Sequence, residues 1–365
     1  MDMGSVISKA VEFINANEST RKQLCEKLSF LRERDLSGFN SVEFMEKEFA
    51  KKVPKPVMNL KICGVDSGFV GKNLGAVDII LVRTVGAVFT YAQGKVSNAE
   101  YFPNLYSLPT PHVTNGAMEK DEENCSMSLI RLIDEVNTAR ECVEKYMPDI
   151  CFLDGSVIPQ YADKPRKGSR VNSLYEKILG NFQALYESAE KNNCILAGCV
   201  EDSRGSRVRG IIQDVVLPGE KAVDIKKLDS FTDSALLDHM LNEGERSFHF
   251  NYSKSISEHP ILMDYAKKWA DSIYGFYLKP APLDKPLRVE FVSSKKGNSE
   301  LADRIAGITY ALSSMHREYA YPSILIEADL RARLRPEEIN IVYNKIMDKL
   351  AARTNLRMRR ENRPF

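Results

Sequence analysis

Apolar positions near the start of the chain recur at helical spacing. Val6, Ile7, Ala10, Val11 and Ile14 form one set, and Leu24, Leu28 and Leu31 another. They predict two or three helices over 5–50, ending at the stretch Lys51 to Lys55. LKICGVDSG (60–68) is a short apolar run closed by glycine, the pattern of a buried strand running into a turn. The apolar segment 76–96 predicts one or two more strands with a turn near Gly86, and the polar, proline-bearing segment 97–120 a loop. Over 127–146, Leu129, Leu132, Ile133, Val136, Ala139 and Val143 share one helical face. DICFLDGS (149–156) reads as a second buried strand, followed by a basic loop at 166–170, a helix over 173–193 and a strand over 194–203.

Further on, SALLDHML reads as a short helix, 287–294 as a strand, and 300–316 and 337–353 as helices. The segment 243–286 has no dominant period, and 323–334 starts apolar and turns polar. Short strands alternating with helices predict an α/β fold, and the long segments between strands favour a mixed central sheet flanked by helices. The pattern divides the chain into a helical extension (1–55), a main domain (56–336) with an insertion near 243–286, and a C-terminal helix with a basic tail (337–365).

Composition narrows the classes. The chain has 365 residues, 43% of them hydrophobic, enough for a real core rather than a disordered chain. Lys plus Arg number 51 against 50 Asp plus Glu, so any nucleic-acid contact must come from a local patch. The longest apolar stretch, Val77 to Tyr91, contains Asp78 and Arg83, which argues against a membrane span. Seven scattered cysteines without a CxxC pair disfavour a zinc ribbon. With no basic-then-apolar leader at the N-terminus, a reducing cytoplasm is the expected location.

Candidate chemistry lies at strand ends. Asp66 ends one buried run and Asp154 another, each followed by a small pair, Ser67-Gly68 or Gly155-Ser156. Either acid alone reads most simply as a turn or helix cap. Two such endings favour a shared acidic site, because adjacent carboxylates repel and a divalent cation relieves the repulsion. Two ions can clamp the attacking and leaving oxygens of a phosphodiester. The helix over 127–146 offers Glu135, beside its buried face, as a third acid.

At this point the chain resembles a known family. VDSG (65–68), RLIDEVNTA (131–139), LDGS (153–156), GCVEDSRGSR (198–207), TDSALL (232–237), RVEF (288–291) and YAYPSILIEADLRARL (319–334) occur in the order of NurA-type nucleases. The resemblance implies an RNase H-like core and a Mn2+-dependent DNA nuclease (Mg2+ as the alternative) with one or two ions per site. It further implies 5′–3′ exonuclease and single-strand endonuclease activity, a homodimer, and a HerA-type hexameric ATPase as partner in DNA end resection and double-strand-break repair. Residue by residue, it assigns catalytic roles to Asp66, Glu135, Asp154, Tyr321 and Asp329, with Asp66, Glu135, Asp154 and Asp329 as metal ligands. Asp329 stands where the family often has histidine; it keeps a hard oxygen donor but not a histidine's proton. Near Glu201, where many members carry lysine, this chain has acids, so Asp202 becomes a further candidate ligand, as does Asp233. The plainer reading of Asp233 is the cap of a helix over 234–241, and that of Tyr321 is packing at the start of a strand.

Arg166, Lys167 and Arg170, with Lys164, form a basic patch after the Asp154 strand, and Arg204 and Arg207 form another candidate for DNA phosphates. Arg353, Arg357, Arg359, Arg360 and Arg363 crowd the C-terminus. Two rivals stand beside the nuclease reading. VDSGF followed by Lys72 loosely resembles the phosphate turn of actin- and Hsp70-like ATPases, though no GxxxxGK[ST] loop occurs. The departures at Asp329 and Glu201 also fit a degenerate subunit that only caps a translocase.

Overall fold

The computed structural model describes residues 2–39, 46–56, 58–74, 77–115, 118–218 and 225–350; the arginine-rich tail lies outside them. In chain order the helices are α1 (Met3–Leu28), α2 (Lys120–Tyr146), α3 (Asn172–Lys191), α4 (Arg207–Ile211), α5 (Asp233–Asp238), α6 (Lys267–Ala270), α7 (Ser299–Ser313), α8 (Ser323–Ala332) and α9 (Pro336–Leu350). The strands are β1 (Ala50–Lys52), β2 (Lys61–Asn73), β3 (Val77–Ala92), β4 (Lys95–Phe102), β5 (Thr110–Asn115), β6 (Ile150–Asp154), β7 (Ile195–Val200), β8 (Glu245–Ser247), β9 (Phe250–Asn251), β10 (Ile273–Lys279) and β11 (Leu287–Val292). No helix among the described residues is long and apolar enough to cross a membrane.

The chain forms two compact units. One comprises 57–199, 256–271 and 322–365. Its strands run in the order β7-β6-β2-β3-β4, with β5 beside β3. β2 and β3 pair antiparallel from Lys61–Thr90 to Asn73–Asp78, whereas β6 runs parallel to both β2 and β7. This is the expected mixed sheet of the RNase H-like type. α2 buries Leu129, Leu132, Ile133, Val136, Ala139 and Val143, and both α2 and α8 pack on β2 and β3. Gly64 and Gly68 let the backbone of α8 lie directly on β2: a Cβ at Gly64 would meet the Ile324 carbonyl oxygen at 2.9 Å, and one at Gly68 the Ala332 carbonyl oxygen at 2.5 Å.

Several expectations are corrected. There is no turn at Gly86, which sits in the ladder opposite Val65 and Phe102. The reversal comes at Gln93-Gly94, both with positive φ (51° and 77°), the conformation a tight hairpin requires. The expected loop over 97–120 contains β5, most of β4 and the first residue of α2. β4 is largely exposed, so backbone pairing to β3 holds it and no apolar alternation marks it. The residues after Tyr321 open a helix rather than a strand, with Pro322 at the N-cap of α8.

The second unit comprises 1–56, 200–255 and 272–321. β1, β8, β10 and β11 form an antiparallel ladder, with β9 also on β10. Its core gathers Leu28, Leu31, Phe49, Leu236, Phe248 and Phe250. The fully buried Arg246 bonds Glu46 (2.7 Å from Nη1) and Asp303 (2.9 Å from Nε). β8, β9 and β10 occupy the 243–286 segment that the sequence pattern left unassigned.

Candidate active site

Asp66 sits in the middle of β2, which runs on through Ser67-Gly68 to Asn73 on its pairing with β3 rather than ending in the expected turn, and it is buried, at 8% exposure. Because side chains alternate along a strand, Asp66 shares with Gly64 and Gly68 the face on which α8 lies, and Ser67 takes the opposite face, towards α2. Pairing of β2 with β6 stops at Val65–Leu153. Asp66 and Asp154 are therefore the next positions on neighbouring parallel strands, and the alternation of side chains puts them on the same face. Asp154 ends β6, half-buried and paired with Cys199 of β7. Asp329 lies on α8, exposed to solvent.

Glu135 is buried on α2, at 2% exposure. Ser67 Oγ donates to its carboxylate. Arg131, one turn earlier on the same helix, donates from Nη1 to Glu135 Oε2 at 2.8 Å and to Ser67 Oγ at 3.0 Å. The i, i+4 spacing makes this ion pair, and the sheet beneath supplies the serine.

The electrostatics follow from this crowding. Burial, then the charges of Glu135 and Asp154, push the Asp66 carboxyl up to about 9; the Ser67 N–H opposes the rise and Asp329 adds to it. Burial also raises Glu135, against the pull of Arg131 and the Ser67 hydrogen bond. The Glu135 charge in turn holds Arg131 protonated against the cost of burying it. Asp66 thus feels three other carboxylates, and Arg131 is the cation bonded within the group. Among the described residues, no three His, Cys, Asp or Glu side chains are already set around a common ion position, and Glu135 is turned onto Ser67 and Arg131. The donor chemistry still fits a hard divalent cation: the groups are all oxygen, partly buried and mutually repelling, and a cation would relieve the strain that keeps Asp66 protonated.

Other anticipated residues belong to the second unit. Tyr321 is buried, at 4% exposure, its ring stacked 6.0 Å from that of Tyr319. Asp202 is exposed in a turn at φ 32°. Asp233 accepts the N–H groups of Val208 (3.0 Å) and Arg209 (2.8 Å) and the hydroxyl of Tyr277 (3.2 Å). The cap of α5 is Thr232 rather than Asp233. Arg204 is exposed, and Arg207 donates Nε–H to the Asn251 carbonyl at 3.2 Å. In the first unit, Arg166 pairs with Asp121 at 2.9 Å, and Lys167 and Arg170 are exposed on the same loop. Sequence reasoning missed the Ser67–Arg131–Glu135 network; the Arg131/Glu135 spacing was its one visible signal.

Comparison with known proteins gives a consistent outcome. The family model for the NurA domain matches residues 60–334. Among solved structures, the chain is similar to the NurA nuclease from Sulfolobus solfataricus, with a TM-score of 0.51 and 16% identity, covering 97% of this chain and 100% of that one. It is also similar to a NurA bound to dAMP and manganese (TM-score 0.50, 9% identity, 98% and 100% covered) and to a NurA with manganese (0.50, 10%, 95% and 99%). At these identities the structural likeness carries the fold. No curated protein matches the sequence.

Proposed function

From the premise that the chain belongs to the NurA family, we propose that it is a metal-dependent deoxyribonuclease that hydrolyses phosphodiester bonds. The observation that carries the reading is the placing of Asp66 and Asp154 at neighbouring positions of parallel strands, where burial, and then the charges of the nearby carboxylates, raises Asp66 to about 9. In this reading Asp66, Glu135, Asp154 and Asp329 hold one or two divalent ions, Mn2+ or Mg2+. A bound divalent ion supplies Lewis acidity and neutralises the charge developing on the phosphate. Ser67 and Arg131 fix the direction in which Glu135 offers its oxygens. Arg166, Lys167 and Arg170 neutralise the backbone of the bound strand, with Arg204 and Arg207 as a second set. Asp233, whose carboxylate already accepts three hydrogen bonds in the second unit, and Asp202 and Tyr321 of the same unit are given no metal-ligand role in this reading. The manganese and dAMP seen in a related NurA support the metal and the DNA substrate.

The same reading takes a HerA-type hexameric ATPase as partner and a second copy of this chain as dimer mate. It assigns 5′–3′ exonuclease and single-strand endonuclease activity in DNA end resection, in the cytoplasm. The test is digestion of linear and single-stranded DNA by purified protein with Mn2+ and with EDTA. Cleavage is expected with Mn2+, and neither Asp66→Ala nor Asp154→Ala should cleave while both still unfold cooperatively on heating. Near-normal cleavage by either folded variant would reject the site.

A further inference from the structure

The second unit carries a cavity of about 490 Å3 lined by Glu201, Arg204, Thr232, Lys285, Tyr319 and Tyr321, among others. Tyr319 is an unusual surface residue. Its side chain is 53% exposed, yet it is held at two points. The ring stacks on that of Tyr321, with centroids 6.0 Å apart and planes at 29°. The hydroxyl donates to Glu201 Oε1 at 2.5 Å. The backbone between the two rings is pinned as well, because Asp284 accepts the Ala320 N–H at 2.6 Å. A single exposed aromatic residue needs no explanation. One that is locked in orientation, backed by a second ring and open to a cavity is a flat surface prepared in advance for another flat group.

The charges around it narrow the occupant. Glu201 is engaged by Tyr319, and Asp284 by the N–H groups of Ala320 and Lys285. Arg204 and Lys285 are exposed at the cavity, with Asp202 as an exposed acid beside them. A phosphate lodged deep in the cavity would meet these carboxylates. A neutral ring resting on Tyr319, with its phosphates outside beside Arg204 and Lys285, would not. Bases in a duplex have their faces covered, so the fit is to an unpaired base.

We propose that Tyr319 is a stacking platform for one nucleobase of a single-stranded nucleic acid, backed by Tyr321 and flanked by Arg204 and Lys285. The choice of nucleic acid rests on the nuclease reading above. It places base contact on the tyrosine two residues before Tyr321, whose own ring is buried.

The test measures binding in EDTA, so that the strand stays intact. The probe is a fluorescein-labelled oligodeoxycytidine about 15 residues long, close to one single-strand site. Tyr319→Ala should bind about tenfold more weakly, the contribution of one stacked base. Tyr319→Phe keeps the ring and loses the Glu201 bond, so it should stay within about twofold of the parent. A 5-iododeoxycytidine probe should photocrosslink to the peptide containing Tyr319. Unchanged binding by Tyr319→Ala, or a crosslink elsewhere, overturns the platform. A Tyr319→Phe loss as large as that of Tyr319→Ala also overturns it, since the Glu201 bond would then be the operative feature. Absence of oligonucleotide binding by the parent protein overturns it whatever the cleavage assay gives. Binding and crosslinking through Tyr319 in a protein that cleaves nothing with Mn2+ would uphold the platform and remove the nuclease reading alone.

Discussion

Asp66 is held at a position that penalises its charge. Its folded value of about 9 lies above the unfolded value, so the sign is opposite to that of a salt-bridged carboxylate. Below about pH 4 both states are protonated and the residue imposes no penalty; the penalty grows as pH rises towards 9. Asp66→Asn in EDTA should therefore raise the unfolding free energy by about 1–3 kcal/mol near pH 8 and by almost nothing near pH 3. Thermal unfolding at the two pH values checks this, and equal shifts at both would refute it. Mn2+ should raise the melting temperature of the parent protein and leave that of the variant nearly unmoved, because the ion binds the folded carboxylates. Glu46 has the ordinary sign. Burial works against its ionisation, but hydrogen bonds from Arg246 and His249 outweigh that and hold it well below the usual carboxylate range. Its contribution is complete above about pH 4.5 and is lost as pH falls through the folded value. Arg246→Met leaves Glu46 buried without its main partner and should cost about 3–5 kcal/mol near neutral pH, measured by denaturant unfolding.

Among the elements, the contact between β2 and α8 leaves no room for a side chain at Gly64 or Gly68. Gly68→Ala would drive a Cβ into the Ala332 carbonyl, which should cost about 1–3 kcal/mol. Since α8 carries Asp329, the same change should lower cleavage by more than the stability loss explains; activity measured well below the variant's melting temperature separates the two. The legibility of elements tracked how much of their stability came from an amphipathic face. α2 and α3 bury one side and were evident from spacing. β6 is a buried run with a punctuated end, and β2 opens with one whose Ser67-Gly68 reads as an end although the strand continues to Asn73, so both aspartates could be found. β4 is exposed, β8 and β9 are three and two residues long, and all seven residues of β10 are buried, so none carries a periodic signal. α8 has only ten residues, too few for its pattern to stand out.

At the scale of the whole molecule, a net charge of +1 cannot draw in a polyanion. In the nuclease reading, affinity for DNA must come from clusters such as Arg166, Lys167 and Arg170, one of which is already paired with Asp121. Replacing all three by alanine should flatten the slope of log affinity against log salt by about 2, at about 0.7 per phosphate contact on a single strand. A fluorescence titration across salt concentrations reads this directly, and an unchanged slope would move the DNA path elsewhere. The sequence by itself determined the α/β class, the two acids of buried strands, the amphipathic α2 and, through its ordered motifs, the family, because each is carried by residues close together in the chain. Only the tertiary structure decided that Ser67 and Arg131 bind Glu135, that α8 lies on β2 through two glycines, and that Tyr319 rather than Tyr321 is open to solvent. Those depend on which faces pack together, and packing joins residues that no local period connects.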